Sequence, residues 1–136
     1  MIALDTDLLI EIFDRKSVKG DEALTGIIDS GEDIAITSIN LHEILYGLQK
    51  YAKPVREVLL LPVLDYTKRD AELSAEMERK TEILGMPIRR TDVMIAAIAL
   101  NREAALYTFD LRHFEPLKAF GLRLFHQAEK STSGLM

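Results

Sequence analysis

Short apolar runs along this chain stop at acidic or small polar residues and are followed by apolar positions at helical spacing. Ile2-Ala3-Leu4 breaks off at Asp5-Thr6-Asp7, and Leu8-Leu9-Ile10 with Ile12-Phe13 follow. This predicts a buried strand whose carboxyl end turns into a helix. Lys16 to Gly20 is expected to be a loop, and a helix over about Asp21–Asp29 is closed by Ser30-Gly31. Asp33–Thr37 predicts a second strand. Ser38 is expected to cap a helix with Leu41, Ile44, Leu45 and Leu48 as its core stripe; Glu43 lies beside that stripe, and Gly47, one turn on, leaves space above it. Pro54 ends that helix, and Val55–Leu61 predicts a short one. Val63–Tyr66 predicts a third strand. Thr67 and Asp70 form a capping pair for a charged amphipathic helix to about Leu84.

The stretch from Val93 to Leu100 is apolar all round, which suits a helix packed inside a layered fold. It opens on Arg89-Arg90-Thr91-Asp92. A fourth strand is expected at Ala105–Thr108, with Asp110 just past its end. Leu117 and Phe120 predict a short helix stopped by Gly121, and Leu122–Phe125 a last strand. Alternating strands and helices with short connections imply right-handed crossovers and a parallel sheet covered on both faces. The expected fold is therefore a single-domain, three-layer α/β/α protein with a parallel sheet of four to five strands, over residues 1–127. A disordered tail over 128–136, with its Ser-Thr-Ser-Gly, is expected beyond it.

Composition narrows the function. With 136 residues and 48% hydrophobic content, one domain with a real core is expected. No apolar run approaches the ~18 residues that a membrane span needs. The amino terminus enters a strand pattern at once, without the basic and apolar segments of a secretory leader. There is no cysteine, which excludes disulfides, thiolate zinc sites and cysteine nucleophiles. The three histidines, His42, His113 and His126, are scattered, and a cytoplasmic protein is expected. A net charge of −5 excludes binding a polyanion through a broadly basic surface, but leaves nucleic acid open as a substrate if bound cations neutralise an acidic cleft.

In an open parallel sheet, ligands bind outside the carboxyl ends of the strands. Asp5 follows the first expected strand and Asp110 the fourth. Glu43 lies in the helix entered from the second strand, and Asp92 begins the helix that leads into the fourth. Four acids therefore fall at one sheet edge. Gathered without compensating lysines they would repel, and an oxygen-only set suits a hard ion such as Mg²⁺ or Mn²⁺. Such ions serve phosphodiester hydrolysis well. Each acid also has a structural reading: Asp5, Asp7, Asp92 and Asp110 could cap helices, and Glu43 could be a solvated helix residue.

The motifs resemble those of PIN-domain ribonucleases. Ile2 to Ile10 looks like their opening, and Ser38 to Gly47, with Glu43-Ile44-Leu45-Tyr46-Gly47, looks like their second acidic motif. Asp92 to Ala97 resembles the third, and Leu106 to Phe114 the fourth. The likeness covers Ile2 to Phe125 in order, and is nearest the VapC-type toxins of toxin–antitoxin pairs. It implies a PIN-like fold and an endoribonuclease using Mg²⁺ or Mn²⁺ held by Asp5, Glu43, Asp92 and Asp110. Thr6 and Thr108 would orient those carboxylates. Asp7 stands where Asn or Ser is more usual and would add a fifth acid, with Asp5, at the strand end, taken as the more direct ligand. The resemblance also implies an RNA substrate, a homodimer and a small cognate antitoxin laid over the cleft. Leu48, Tyr51, Val55, Val58 and Leu59 are candidates for association or for core.

Arg89, Arg90, Arg112 and His113 flank two of the acids and could contact RNA phosphates, or be solvated surface charge or ion-paired. His42, about 100° round a helix from Glu43, is expected to be structural or exposed, and Tyr46, Tyr51 and Tyr66 to serve packing more than base stacking. Two other readings stand beside the ribonuclease. Asp5-Thr6-Asp7 resembles the nucleophile and acid of haloacid-dehalogenase-like phosphatases, but Leu9 stands where that family has Thr or Val. A non-catalytic binding module on the same scaffold is the third.

Overall fold

The computed structural model describes residues 1–126; the tail expected over 128–136 lies outside them. The chain opens with β1 (Ile2–Leu4), α1 (Thr6–Leu9), a π-helical turn (Ile10–Asp14) and α2 (Val18–Ser30). Strand β2 (Ile34–Thr37), α3 (Ser38–Lys50), α4 (Arg56–Leu59), β3 (Val63–Leu64), α5 (Lys68–Ile83) and α6 (Arg90–Asn101) follow. Strand β4 (Ala105–Tyr107), α7 (Leu111–Phe114) and a 3-10 turn (Glu115–Phe120) come last. The strands form one sheet in the order β3-β2-β1-β4, every neighbouring pair parallel.

Side chains of a strand alternate between faces, and β1 divides accordingly. Ile2 and Leu4 join Leu8, Leu9, Ala23, Ile27, Ile36, Ile44, Leu48 and Val58 beneath α1 to α4. Ala3 faces Met77, Val93, Ile95, Ala96, Leu106, Phe114 and Leu117 beneath α5, α6 and the final turns. The three-layer α/β/α arrangement is therefore present. Helix α6 buries Val93 and the whole run Ile95 to Ala99, which explains why its sequence lacks a polar face.

Four local expectations need correction. Helix α2 begins at Val18, inside the expected loop, because Ser17 caps it by accepting from the Gly20 amide at 3.0 Å. Gly20 serves close packing there, since a Cβ would stand 2.3 Å from the Glu11 carbonyl oxygen. The cap of α3 is Thr37 instead of Ser38, in a reciprocal box with Asn40. Ser38 Oγ instead accepts from the Tyr66 amide at 3.2 Å, and Arg102 donates to the Asp65 carbonyl, so side chains take over where β3 was expected to continue. The expected last strand shrinks to a single bridge, Leu106 to Leu124, after Gly121 turns the chain with φ 101°.

Helix α5 carries the expected cap, Thr67 with Asp70. Asp70 is wholly buried, and its other oxygen accepts from Asn101 at 2.8 Å and Arg102 at 2.6 Å. Burial alone would raise this carboxyl, but the bonds from Arg102 and Asn101 outweigh it and hold it below its ordinary value. That cluster pins α5 to the end of α6, and α6 starts at the site.

Candidate metal centre

The chain leaves β1 for β2 and β3 on one side and returns to β4 on the other. This reversal opens a crevice outside the carboxyl ends of β1 and β4. A cleft of about 330 Å³ lies there, walled by Asp5, Thr6, Asp7, Glu43, Arg89, Asp92, Asp110 and His113, with Ile10 and Phe114 at its base. All four expected acids and the additional Asp7 meet in it.

Each carboxylate is held by a different element. Asp5 is the first residue past β1, its amide donating to the Tyr107 carbonyl at 2.9 Å. Its Oδ1 accepts from the Thr6 amide at 2.9 Å and from Asn40 Nδ2 at 3.2 Å. Its Oδ2 accepts from Thr108 Oγ1 at 2.8 Å. Asp5 thus caps α1 and faces the cleft together, so the two sequence readings are compatible. Asp7 Oδ2 accepts from the Phe109 amide at 3.0 Å and lies 3.2 Å from Thr108 Oγ1. Glu43 reaches over from α3, where Oε1 accepts from Thr6 Oγ1 at 2.8 Å. Thr6 and Thr108 therefore contact the carboxylates they were expected to orient.

Asp92 sits in the first turn of α6 but does not cap it; the cap position is Arg89, whose side chain makes no capping bond to the helix backbone. Both Asp92 oxygens accept from Arg89, at 3.1 and 3.2 Å, and Oδ2 lies 2.7 Å from His113 Nε2. A carboxylate only accepts, so that ring nitrogen carries the hydrogen. Asp110 caps α7, accepting from the His113 amide at 3.4 Å. Its capping reading holds, and it still lines the cleft.

Crowded acids change one another's protonation. Burial first, then the charge of Asp7, raises the Asp5 carboxyl from 3.8 to about 6, with Asp92 adding to the rise. Burial likewise raises Asp7, and Asp110 contributes. Arg89 is pushed the other way, further toward the charged form, by its bonds to Asp92 and by the fields of Glu43 and Asp5. The Oδ1 of Asp7 is buried without a hydrogen-bond partner, a costly state that a cation or a proton relieves.

The donor chemistry fits a hard divalent ion: carboxylate oxygens in excess of cationic groups, and one buried oxygen unpartnered. Among the described residues, no three His, Asp or Glu side chains are already converged as a closed ligand set. The reason is visible in the contacts, since Asp92 is turned onto Arg89 and His113 and Glu43 onto Thr6. Ion binding would have to draw these side chains inward.

Of the four expected phosphate contacts, Arg89 and His113 line the cleft. Arg90 instead grips Glu78 through Nε and Nη2 at 3.0 and 2.9 Å, and Arg112 is exposed outside it. His42 is exposed, and Tyr46, Tyr51 and Tyr66 do not line the cleft. Leu48 and Val58 are core, so from the expected association set Tyr51 and Leu59 remain as exposed apolar residues, with Val55 half-buried. Sequence reasoning missed Asn40. It is fully buried and bridges Thr37 Oγ1 (2.7 Å), Asp5 and Thr6 Oγ1 (3.0 Å), tying the cap of α3 to the acids. The legible signal was the pair Thr37 and Asn40, three residues apart.

The fold and cleft together define a doubly wound α/β protein with an acid-lined pocket at its switch point. Residues 2–118 match the PIN domain. The chain belongs to the PIN-domain family. It is 34% identical over 102 residues to the tRNA(fMet)-specific endonuclease VapC of Salmonella typhimurium, covering 67% of this chain and 73% of that protein. It is 27% identical over 123 residues to ribonuclease VapC2 of Haemophilus influenzae, covering 82% of this chain and 88% of that one. Among solved structures, DNA-bound VapBC from Salmonella typhimurium superposes with TM-score 0.73 at 28% identity, covering 91% of this chain and 96% of that chain. VapBC2 from Rickettsia felis, at 24% identity, shares the fold with TM-score 0.76, covering 92% and 98%.

Proposed function

We propose that this chain is a metal-dependent endoribonuclease that hydrolyses RNA phosphodiester bonds as the toxin of a toxin–antitoxin pair. The observation that carries the reading is the convergence of Asp5, Asp7, Glu43, Asp92 and Asp110 on one switch-point cleft. The family, and relatives named as ribonuclease and tRNA endonuclease, support it. They also speak against the phosphatase reading of Asp5-Thr6-Asp7.

Asp5, Glu43, Asp92 and Asp110 would hold Mg²⁺ or Mn²⁺. When bound, such an ion positions the phosphate, acidifies a water and offsets charge on the departing oxygen. The chain's own part is preorganisation. Thr108 and Asn40 fix Asp5, Thr6 fixes Glu43, and the Phe109 amide holds Asp7; a carboxylate of this set would take the proton of the attacking water. Arg89, exposed over most of its length yet anchored at Asp92, would stand at the cleft rim to meet a substrate phosphate.

The complexes that its structural relatives form as VapBC support a small antitoxin as partner, covering the acidic cleft. Exposed Tyr51, Leu59 and Leu60 support a homodimer, and an RNA target implies the cytoplasm. No helix among the described residues is long and apolar enough to cross a membrane. The test is purified full-length chain with total RNA. Cleavage in Mn²⁺ that stops with EDTA and with Asp92→Asn is expected, and sequencing of the fragment ends names the target. Equal cleavage by wild type and Asp92→Asn would overturn the site; no cleavage would leave the binding-module reading in its place.

A further inference from the structure

A second groove, of about 380 Å³, adjoins the acidic cleft and shares Asp7, Ile10 and Asp110 with it. Its far wall is Phe109, Lys19 and Arg15, with Glu11 alongside. We propose that this groove is a nucleotide subsite: it takes the unpaired base and phosphate next to the scissile one, with the base on Phe109 and the phosphate on Lys19. This rests on the ribonuclease reading and specifies how the substrate is held.

Three observations carry it. Lys19 is exposed, makes no ion pair with a described residue, and holds its ammonium 4.1 Å from the centroid of the Phe109 ring. A cation and an aromatic face side by side are the two elements with which proteins hold single-stranded nucleic acid. Arg15 spends one nitrogen on Glu11 at 3.3 Å, and its side chain remains mostly exposed, so it can extend the phosphate path. The groove is also continuous with the acids, with Asp7 and Asp110 as the common wall, so a strand lying across the cleft passes into it.

The chemistry sets the occupant. Stacking on Phe109 requires a base that is out of a helix, which selects single-stranded RNA. A base settling on the ring displaces the Lys19 ammonium outward, where a phosphate meets it. The phosphate path is thus moved away from Arg90 and Arg112, which lie off the cleft.

Binding of a dye-labelled hexauridylate, followed by fluorescence anisotropy, tests this. The protein is the full-length chain in Mn²⁺, carrying Asp92→Asn so that RNA is not cut. Adding Phe109→Ala is expected to weaken binding about fivefold or more, and Phe109→Tyr to restore it to within about twofold. Adding Lys19→Ala is expected to weaken binding and to lower the slope of log K against log salt by about 0.7, one phosphate contact on a single strand. A merely structural Lys19 would leave that slope unchanged. Binding within twofold for both alanine variants, with an unaltered slope, would overturn the subsite while leaving the ribonuclease intact. Failure of the chain to bind or cut any RNA would overturn both.

Discussion

Asp5→Asn should make the metal-free protein more stable while abolishing its activity. The Asp5 carboxyl is raised from 3.8 to about 6, chiefly by burial and then by Asp7. A carboxyl whose value in the fold exceeds its unfolded value holds its proton more tightly when folded. This group's contribution to stability is therefore greatest below about pH 4 and falls as pH rises through about 6. Roughly two units at about 1.4 kcal/mol each give about 3 kcal/mol at pH 8, of which counter-ions in the open cleft screen a part, leaving about 1–3 kcal/mol. Asparagine removes that charge and keeps the bonds. Its carbonyl oxygen accepts from the Thr6 amide and Asn40 as Oδ1 does now. The new amide meets Thr108 Oγ1, which can accept from it and turn its hydrogen wholly to Asp7, 3.2 Å away. Urea unfolding in EDTA at pH 5 and pH 8 is the assay. The variant should gain about 1–3 kcal/mol over wild type at pH 8, or about 3–10 °C in Tm, and about half of that at pH 5. Saturating Mn²⁺ should reverse the order, adding about 4.1 kcal/mol at a thousandfold excess over Kd to the chain that binds it. Equal or lower stability of Asp5→Asn at pH 8 in EDTA, or a difference that does not shrink toward pH 5, would refute the reasoning.

Asp92→Asn should lower RNA cleavage at least ~100-fold with unfolding midpoints close to wild type, because Arg89 and His113 at its rim are free to rehydrate; calorimetry should show weakened Mn²⁺ uptake. Asp70→Ala should cost about 3–5 kcal/mol by stranding Arg102 and Asn101 and by opening the α5 cap, read by urea unfolding at pH 7. Because Asp70 is held below its ordinary value, its contribution is present above about pH 4 and lost on acidification below it, so the gap between wild type and variant should narrow there. Gly20→Ala should cost about 1–3 kcal/mol, since the added carbon would meet the Glu11 carbonyl and force α2 off the π-helical turn; an unchanged Tm would show that the turn yields freely.

Much of the site was legible because its acids are punctuation. Asp5 ends an apolar run, Asp110 follows another, and Asp92 opens an apolar helix, all positions that local pattern marks. The additional Asp7 was legible for the same reason. Asn40 was not, since a polar residue in the first turn of a helix looks ordinary until Asp5 and Thr6 are brought beside it from β1. Gly20 read as a loop residue because chain-local reasoning assigns glycine to flexibility; the structure uses it to bring two backbones together. The last strand was expected at full length from its apolar pattern, but pairing depends on the path after Gly121, and only one bridge to Leu106 forms. Arg90 and Arg112 sit next to acids in sequence, yet Glu78, twelve residues from Arg90, claims it.

Sequence by itself determined the alternation of strand and helix, the two-faced burial of β1, and which acids stand at strand ends, because these follow from residue periodicity and the few residues either side. Only the tertiary structure decided which of those acids share a cleft, that Arg89 and His113 hold Asp92, and that Lys19 and Phe109 extend the cleft into a groove. Apart from Arg89 with Asp92, those relations join residues about twenty or more positions apart, and their energies depend on burial and distance, which no local pattern encodes.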